Sequence, residues 1–85
     1  MTAIEIRIKR ALYRAHHRGT KEMDLVLGEF ADAELRRLGD ADLAAFEDLL
    51  ELPDPDIDRW IKGENVPPAL APMIAVIRRH HRLES

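Results

Sequence analysis

Apolar residues recur every three or four positions along most of the chain, and this spacing constrains the fold more than any other feature. A 3.6-residue period places such residues on one face of a helix, whereas a strand requires sustained alternation. No segment alternates for long enough to predict a strand. We therefore predict an all-α fold, a small bundle of about five helices that forms a single domain over residues 1–85.

Glycine and threonine mark the end of the first predicted helix and the start of the second. The first helix is expected from about Ile4 to His17, with Gly19 as its C-terminal cap. Thr20 or Gly19 then suits the N-cap of the second helix. A short, weakly apolar piece at Ala33–Leu38 precedes the next break.

The later helices are bounded by aspartate, proline and glycine. Asp40 is the expected N-cap of a third helix that ends at Pro53, and Asp54 is the expected N-cap of a fourth helix that Gly63 closes. The last helix follows Pro67-Pro68 and is expected to fray over Arg78–Ser85. The residues expected to face the core are Ile4, Ile8, Ala11, Leu12, Ala15, Met23, Val26, Leu27, Phe30, Leu43, Phe46, Leu49, Leu50, Ile57, Trp60, Ile61, Leu70, Met73, Ile74 and Ile77.

The charges are distributed unevenly. Met1–Lys21 carries six Lys/Arg residues against Glu5, whereas Glu22–Glu64 carries fourteen Asp/Glu residues against four Lys/Arg. The longest uncharged stretch, Asn65–Ile77, is interrupted by prolines and is shorter than the roughly 20 apolar residues that span a membrane. We therefore expect no membrane association.

Most catalytic and metal chemistry lacks its residues here. The chain has no cysteine, its only serine is Ser85, and it contains no glycine-rich phosphate loop. Asp54, Asp56 and Asp58 have the spacing that begins a calcium-binding EF-hand loop, but the required later glycine and glutamate are absent. We predict neither an enzyme nor a metal site.

Two alternatives remain open from the residues alone. The adjacent pairs His16-His17 and His80-His81 could meet in space and hold a metal, although exposed positions at helix ends explain them better. The stripe of Arg7, Arg10, Arg14 and Arg18 flanks the apolar face of the first helix. It could make the protein a small nucleic-acid-binding or regulatory protein, or it could be a solvated face.

The densest unusual run is Arg18-Gly19-Thr20-Lys21-Glu22-Met23-Asp24, between the first two helices. Glycine allows a sharp turn there, which is expected to present Arg18 and Glu22 side by side at the surface. Taken by itself, this spacing is also explained by helix capping, with Glu22 favoured at the positive end of its helix.

This run resembles the R-G-x-x-E signature of the FAD assembly factor SdhE family of bacteria and mitochondria. The likeness continues, in order, through Phe46-Glu47-Asp48-Leu49-Leu50-Glu51, Asp54-Pro55-Asp56-Ile57 and Trp60-Ile61, and it covers about residues 12–79. Many members begin the signature with Arg-Arg-Gly-Met, whereas this chain has His17-Arg18-Gly19-Thr20.

The resemblance implies a helical assembly factor that binds the flavoprotein subunit of succinate dehydrogenase, or of fumarate reductase, and promotes its covalent FAD attachment. It implies that the partner-binding residues are His17, Arg18, Gly19, Glu22 and Asp24. Gly19 would permit close backbone approach, Arg18 would offer forked donors, Glu22 would accept, and Asp24 would be a rim contact.

The resemblance also implies that the FAD belongs to the partner and that the chain binds no cofactor stably. We expect a monomer when free, with no nucleic-acid partner. Bacterial cytoplasm is the expected location and the mitochondrial matrix the second choice. Residues 1–21 look like a basic amphipathic presequence, but the signature begins inside them.

Overall fold

A computed structural model describes residues 1–83 as five α-helices joined by short connections. The part of the chain that it describes contains no strand, so the predicted all-α bundle is confirmed. The helices are α1 (Ala3–His16), α2 (Lys21–Glu34), α3 (Asp40–Leu50), α4 (Asp54–Ile61) and α5 (Ala71–His80), with a 3₁₀ turn at Leu35–Arg37.

Threonine side chains cap the first two helices. Thr2 Oγ1 accepts a hydrogen bond from the backbone nitrogen of Glu5 at 3.2 Å, and Thr20 Oγ1 accepts one from Met23 at 3.3 Å. Each bond satisfies a backbone donor that has no acceptor within the first turn of its helix. The choice of Thr20 as the cap of α2 is therefore confirmed.

The predicted caps of α3 and α4 are each wrong by one residue. Gly39 and Pro53 occupy the N-cap positions, and Asp40 and Asp54 are the first helical residues. Neither carboxylate caps its own helix, because Asp40 bonds to Arg7 and Asp54 to Arg18. Both still lie at the positive ends of their helices, where a negative charge is favourable.

Gly19 is not the C-cap of α1 as predicted, because the helix ends at His16 and His17 occupies the C-cap position, two residues before Gly19. The expected separate piece at Ala33–Leu38 is instead the end of α2 followed by the 3₁₀ turn, which buries Leu35. Gly63 closes α4 at φ +88°, as predicted. The last helix is ordered as far as His80 rather than fraying from Arg78, and the predicted fraying of residues 84–85 lies outside the described residues.

The core lies between all five helices. α1 packs against α2 and α3, and α5 packs against α2, α3 and α4. Five residues predicted to face inward are not fully buried. Ile4 is 41% exposed in the first turn of α1, whereas four others are partly buried and pack against the core: Ile8, Leu12, Val26 and Leu70. The buried hydrophobic residues are Ala11, Ala15, Met23, Leu27, Phe30, Ala31, Leu35, Leu43, Phe46, Leu49, Leu50, Ile57, Trp60, Ile61, Met73, Ile74 and Ile77.

This packing brings the α1–α2 loop (residues 17–20), the α3–α4 turn (residues 51–53) and the start of α4 to one region of the molecule. No helix within residues 1–83 is both long enough and apolar enough to cross a membrane.

Candidate partner-binding site

The α1–α2 loop contains the signature glycine in a conformation that other residues adopt at a cost. Gly19 has φ +103°, in the region that side chains with a Cβ rarely occupy. Apart from Gly19 itself and its two neighbours in the chain, no described residue has an atom within 4 Å of where a Cβ on Gly19 would be. The requirement for glycine within this chain is therefore conformational, and the space above the loop is open.

Arg18 points into the protein rather than away from it. Its side chain is only 10% exposed, and its Nε donates to Asp54 Oδ1 at 2.8 Å. Nη1 donates to the carbonyl of Leu50 at 2.6 Å, and Nη2 donates to the carbonyl of Leu52 at 2.8 Å. One guanidinium group thus joins the loop to the end of α3, the following turn and the start of α4.

The expected surface position of Arg18 is wrong, whereas its predicted partner-binding role stays a prediction. The expectation placed its guanidinium at the surface as a forked donor, but each of its three nitrogens already donates within the chain. The physical reason is that the last carbonyls of a helix lack intrahelical donors and carry partial negative charge. A cation between those carbonyls and Asp54 satisfies both, so Arg18 holds the loop in position.

Glu22 is the signature residue that remains directed outward. It lies exposed in the first turn of α2, and its carboxylate has no hydrogen bond or salt bridge with any residue in the range 1–83. Asp24 differs, because its Oδ1 accepts from the backbone nitrogen of Arg18 at 2.5 Å and so helps to fix the loop. Of the two carboxylates, only that of Glu22 is uncommitted.

His17 lies exposed at the end of α1. Its ring stacks on that of Tyr13 with centroids 3.9 Å apart, and its Nδ1 lies 2.6 Å from the Tyr13 carbonyl oxygen. Tyr13 is itself 64% exposed. The two rings therefore form a flat, accessible surface next to the loop.

A shallow groove of about 330 Å³ runs between the start of α2 and the start of α4. It begins at Thr20 and Glu22, so it adjoins the loop directly. The residues that line this α2–α4 groove are Thr20, Glu22, Met23, Asp54, Pro55 and Asp58.

The chain has recognisable relatives. A family model described as "Flavinator of succinate dehydrogenase" matches residues 9–81, which include α2–α5, the loop and most of α1. The chain belongs to this family. The resemblance inferred from the signature is thereby confirmed, and the match is slightly longer than the predicted 12–79.

Relatives of this flavinator family member occur in eukaryotes and bacteria. The chain is 37% identical over 82 residues to the mitochondrial succinate dehydrogenase assembly factor 2 of Dictyostelium discoideum, covering 95% of this chain and 58% of the relative. It is 39% identical over 57 residues to the FAD assembly factor SdhE of Acetobacter pasteurianus, covering 67% of this chain and 52% of that protein. The FAD assembly factor SdhE of Pectobacterium atrosepticum is 31% identical over 81 residues, covering 93% of this chain and 92% of that protein.

The chain spans only part of several relatives: 58% of the Dictyostelium protein, 52% of the Acetobacter protein and 28% of the mitochondrial succinate dehydrogenase assembly factor 2 of Mycosarcoma maydis. No solved structure gave a significant match.

The basic stripe of α1 is mostly neutralised within this flavinator family member. Arg7 binds Asp40 at 2.8 Å and Glu47 at 2.6 Å, and Arg14 binds Glu51 at 2.7 Å. The hydrogen bonds that Arg7 donates, chiefly to Glu47 and then to Asp40, raise the pKa of Arg7, while the hydrogen bond donated by Arg14 lowers the pKa of Glu51. Since Arg18 is also engaged, the acidic α3 and α4 account for three of the four cations that suggested nucleic-acid binding.

Three of the four histidines contact α2, and the fourth, His17, stacks on Tyr13 of α1. Nε2 of His16 lies 2.9 Å from Asp32 Oδ1, while His80 packs edge-on against Phe30 and His81 Nε2 lies 2.8 Å from the Val26 carbonyl oxygen. His80 and His81 are half-buried, so the expectation of exposed histidines is wrong for that pair. Among residues 1–83, no group of three or more His, Cys, Asp or Glu side chains could hold a metal ion.

Two structural contacts near the site are not among the predictions made from the sequence. The sequence predicts Asp54 only as a helix cap, although in the structure it forms a salt bridge with Arg18 and its side chain is 17% exposed. Gly28 lies in α2 directly against the ring of His16, and a Cβ there would come within 2.5 Å of His16 Nδ1. A helical glycine beside apolar neighbours is the one signal that could have indicated the second contact.

Proposed function

We propose that this protein binds the flavoprotein subunit of succinate dehydrogenase and promotes covalent attachment of its FAD. The chain belongs to the flavinator family, and the relatives' names describe succinate dehydrogenase assembly and FAD assembly. The observation that carries the proposal is the loop itself. Gly19 and Glu22 face open space, while Arg18 and Asp24 fix their backbone from behind.

Such a surface suits recognition of one conformation of a partner. Gly19 permits another backbone to approach closely, and Glu22 offers an uncommitted charged acceptor to a donor on the partner. A rigid surface that binds one conformation better than others shifts the partner's population toward it. The proposed action is stabilisation of the geometry in which the partner attaches its own flavin.

On this proposal the chain supplies no reacting group. The FAD stays with the flavoprotein, and the residues of this chain bind and orient that partner. Succinate dehydrogenase is the proposed client and fumarate reductase the second, in bacterial cytoplasm rather than the mitochondrial matrix. The free protein is proposed to be a monomer that meets its client without nucleic acid.

Covalent flavin formation tests the proposal. The apo flavoprotein subunit is mixed with FAD, with and without this protein, and covalent flavin is read by fluorescence on a denaturing gel. The flavin band should strengthen in the presence of the protein, and Glu22→Ala should reduce that gain. An equal band in both mixtures, with a client subunit from the same source, would overturn the proposed function.

A further inference from the structure

The α2–α4 groove has an apolar floor and an acidic rim. The buried Met23 and the exposed ring of Pro55 contribute apolar surface, and Glu22, Asp54 and Asp58 contribute carboxylates. An apolar floor beneath carboxylates suits a side chain with an aliphatic stem and a charged head.

The three carboxylates differ in how firmly they are held. Asp54 is committed to Arg18. Asp58 binds Lys62 at 2.9 Å, one helical turn along α4, in a pair whose lysine is 58% exposed. Exposed pairs of this kind contribute little free energy, so Asp58 can exchange one cation for another at small cost. Glu22 makes no hydrogen bond or salt bridge within the described chain.

The pKa of Lys62 indicates that the electrostatic potential at this rim is negative. That pKa is raised chiefly by the hydrogen bond that Lys62 donates to Asp58, with further contributions from the charges of neighbouring carboxylates that include Glu22. The ammonium group therefore lies within the field of both outward-facing carboxylates of the groove. A cation at this position is stabilised, and Lys62 occupies only the edge of the groove, since it is not among the lining residues.

We propose that the groove receives a lysine or arginine side chain from the flavoprotein subunit, which displaces Lys62 from Asp58. This inference rests on the proposed function and specifies the partner's chemistry at the same site. The aliphatic stem would lie on Met23 and Pro55, and the charged head would bind Glu22 and Asp58. A carboxylate would be repelled, and a wholly apolar group would desolvate Glu22 without giving it a partner.

The test measures affinity rather than flavin yield. The dissociation constant of the complex with the apo flavoprotein subunit is determined by titration calorimetry at low and high salt. Glu22→Gln and Asp58→Asn should each weaken binding about two- to fivefold and flatten its salt dependence, because each removes one cross-interface charge attraction.

The Lys62→Ala substitution should change the affinity for the flavoprotein subunit in the opposite direction. It removes the competing internal cation, so binding should tighten by about two- to fivefold, whereas a lysine that itself contacts the partner would give weaker binding. The matched control is Glu29→Gln, an equal change of charge two turns further along the outer side of α2 and outside the groove. It should bind as the native protein does.

The outcomes separate the two proposals. If the native protein binds and raises covalent flavin, but Glu22→Gln and Asp58→Asn bind no more weakly than Glu29→Gln, the groove proposal is overturned and the proposed function stands. Weaker binding by Lys62→Ala would also overturn the groove proposal. If the native protein neither binds the subunit nor raises covalent flavin, both fall.

Discussion

Arg18 and Gly19 are adjacent in the sequence and have opposite surroundings. The Arg18 side chain is enclosed by Leu50, Leu52 and Asp54, whereas the space beside Gly19 is open. The signature therefore combines a side chain that supports the fold from within, Arg18, with an open surface at Gly19 that we propose as the contact with the partner. The two roles make different predictions for substitution.

Replacing Arg18 should destabilise the fold. Arg18→Ala removes the Arg18 donor from the Leu52 carbonyl and from the mostly buried Asp54, and it leaves the Leu50 carbonyl with only its bond from Arg14. We expect a loss of about 2–4 kcal/mol in the free energy of unfolding. Urea denaturation measures it. Arg10→Ala, an exposed arginine of the same helix, should change stability by less than about 0.5 kcal/mol. Equal losses for the two variants would contradict the internal role of Arg18.

Replacing Gly19 should have a smaller effect on folding. Gly19→Ala places a Cβ at φ +103° without any clash, so we expect a loss of about 1–2 kcal/mol in the free energy of unfolding. Gly19→Arg carries the same backbone strain, and its longer side chain extends into open space. The two variants should therefore unfold within about 0.5 kcal/mol of one another, and a much less stable Gly19→Arg would show that the space is closed.

At the scale of elements, α1 is joined to its neighbours by polar contacts that the periodicity of apolar residues does not reveal. Its cations face the carboxylates of α3, and its last histidine lies across α2. Two predictions concern these contacts.

The salt bridge between Arg14 and Glu51 should make the free energy of unfolding depend on pH in the acidic range. Because Arg14 lowers the pKa of Glu51 in the folded protein, the unfolded chain binds a proton at a higher pH than the folded chain does. Stability should therefore fall as the pH drops from the usual glutamate range through the lowered folded value. In urea titrations across this range, Glu51→Gln and Arg14→Gln should each lose less stability than the native protein. An unchanged pH slope in either variant would contradict this contribution.

Substitutions at Gly28 and His16 should have coupled effects on the free energy of unfolding. Gly28→Ala improves helix propensity by about 0.5–1 kcal/mol but forces the His16 ring away from α2 and from Asp32. In a His16→Ala background the ring is gone, so the same change should stabilise the protein by about that amount. A double-mutant cycle in thermal unfolding measures the coupling, and strictly additive effects would show that the ring does not restrict position 28.

The helices themselves could be predicted from sequence because each has a periodic apolar face and a cap or breaker at its ends. The roles of Thr20 as an N-cap and of Gly63 as a helix terminator depend only on neighbouring residues, and both were predicted correctly. Asp40 and Asp54 were misassigned as caps because their side chains bond to arginines 33 and 36 residues away. Arg18 was misplaced for the same reason: periodicity fixes the face of a helix but not the distant carbonyls that the next elements bring near it.

At the scale of the whole molecule, the acidic middle of the sequence folds back onto the basic start. The acidic residues of α3 and α4 neutralise Arg7, Arg14 and Arg18, which leaves Arg10 as the member of the stripe without a salt bridge in the described structure. Phosphate binding requires a broad basic surface, so this pairing weighs against the nucleic-acid alternative. Of these pairs, that of Arg18 with Asp54 joins the loop to the start of α4, which lines the groove.

The central claim is that the open surface at Gly19, rather than overall stability, determines activity toward the flavoprotein. The most direct test is the yield of covalent flavin on the client subunit with native protein, Gly19→Ala and Gly19→Arg, at a temperature where denaturation curves show all three folded. We expect Gly19→Arg to lose most of the gain in covalent flavin and Gly19→Ala to keep substantially more, because a bulky side chain on the loop blocks close approach. Full activity in folded Gly19→Arg would contradict the account and would place the contact surface elsewhere on the bundle.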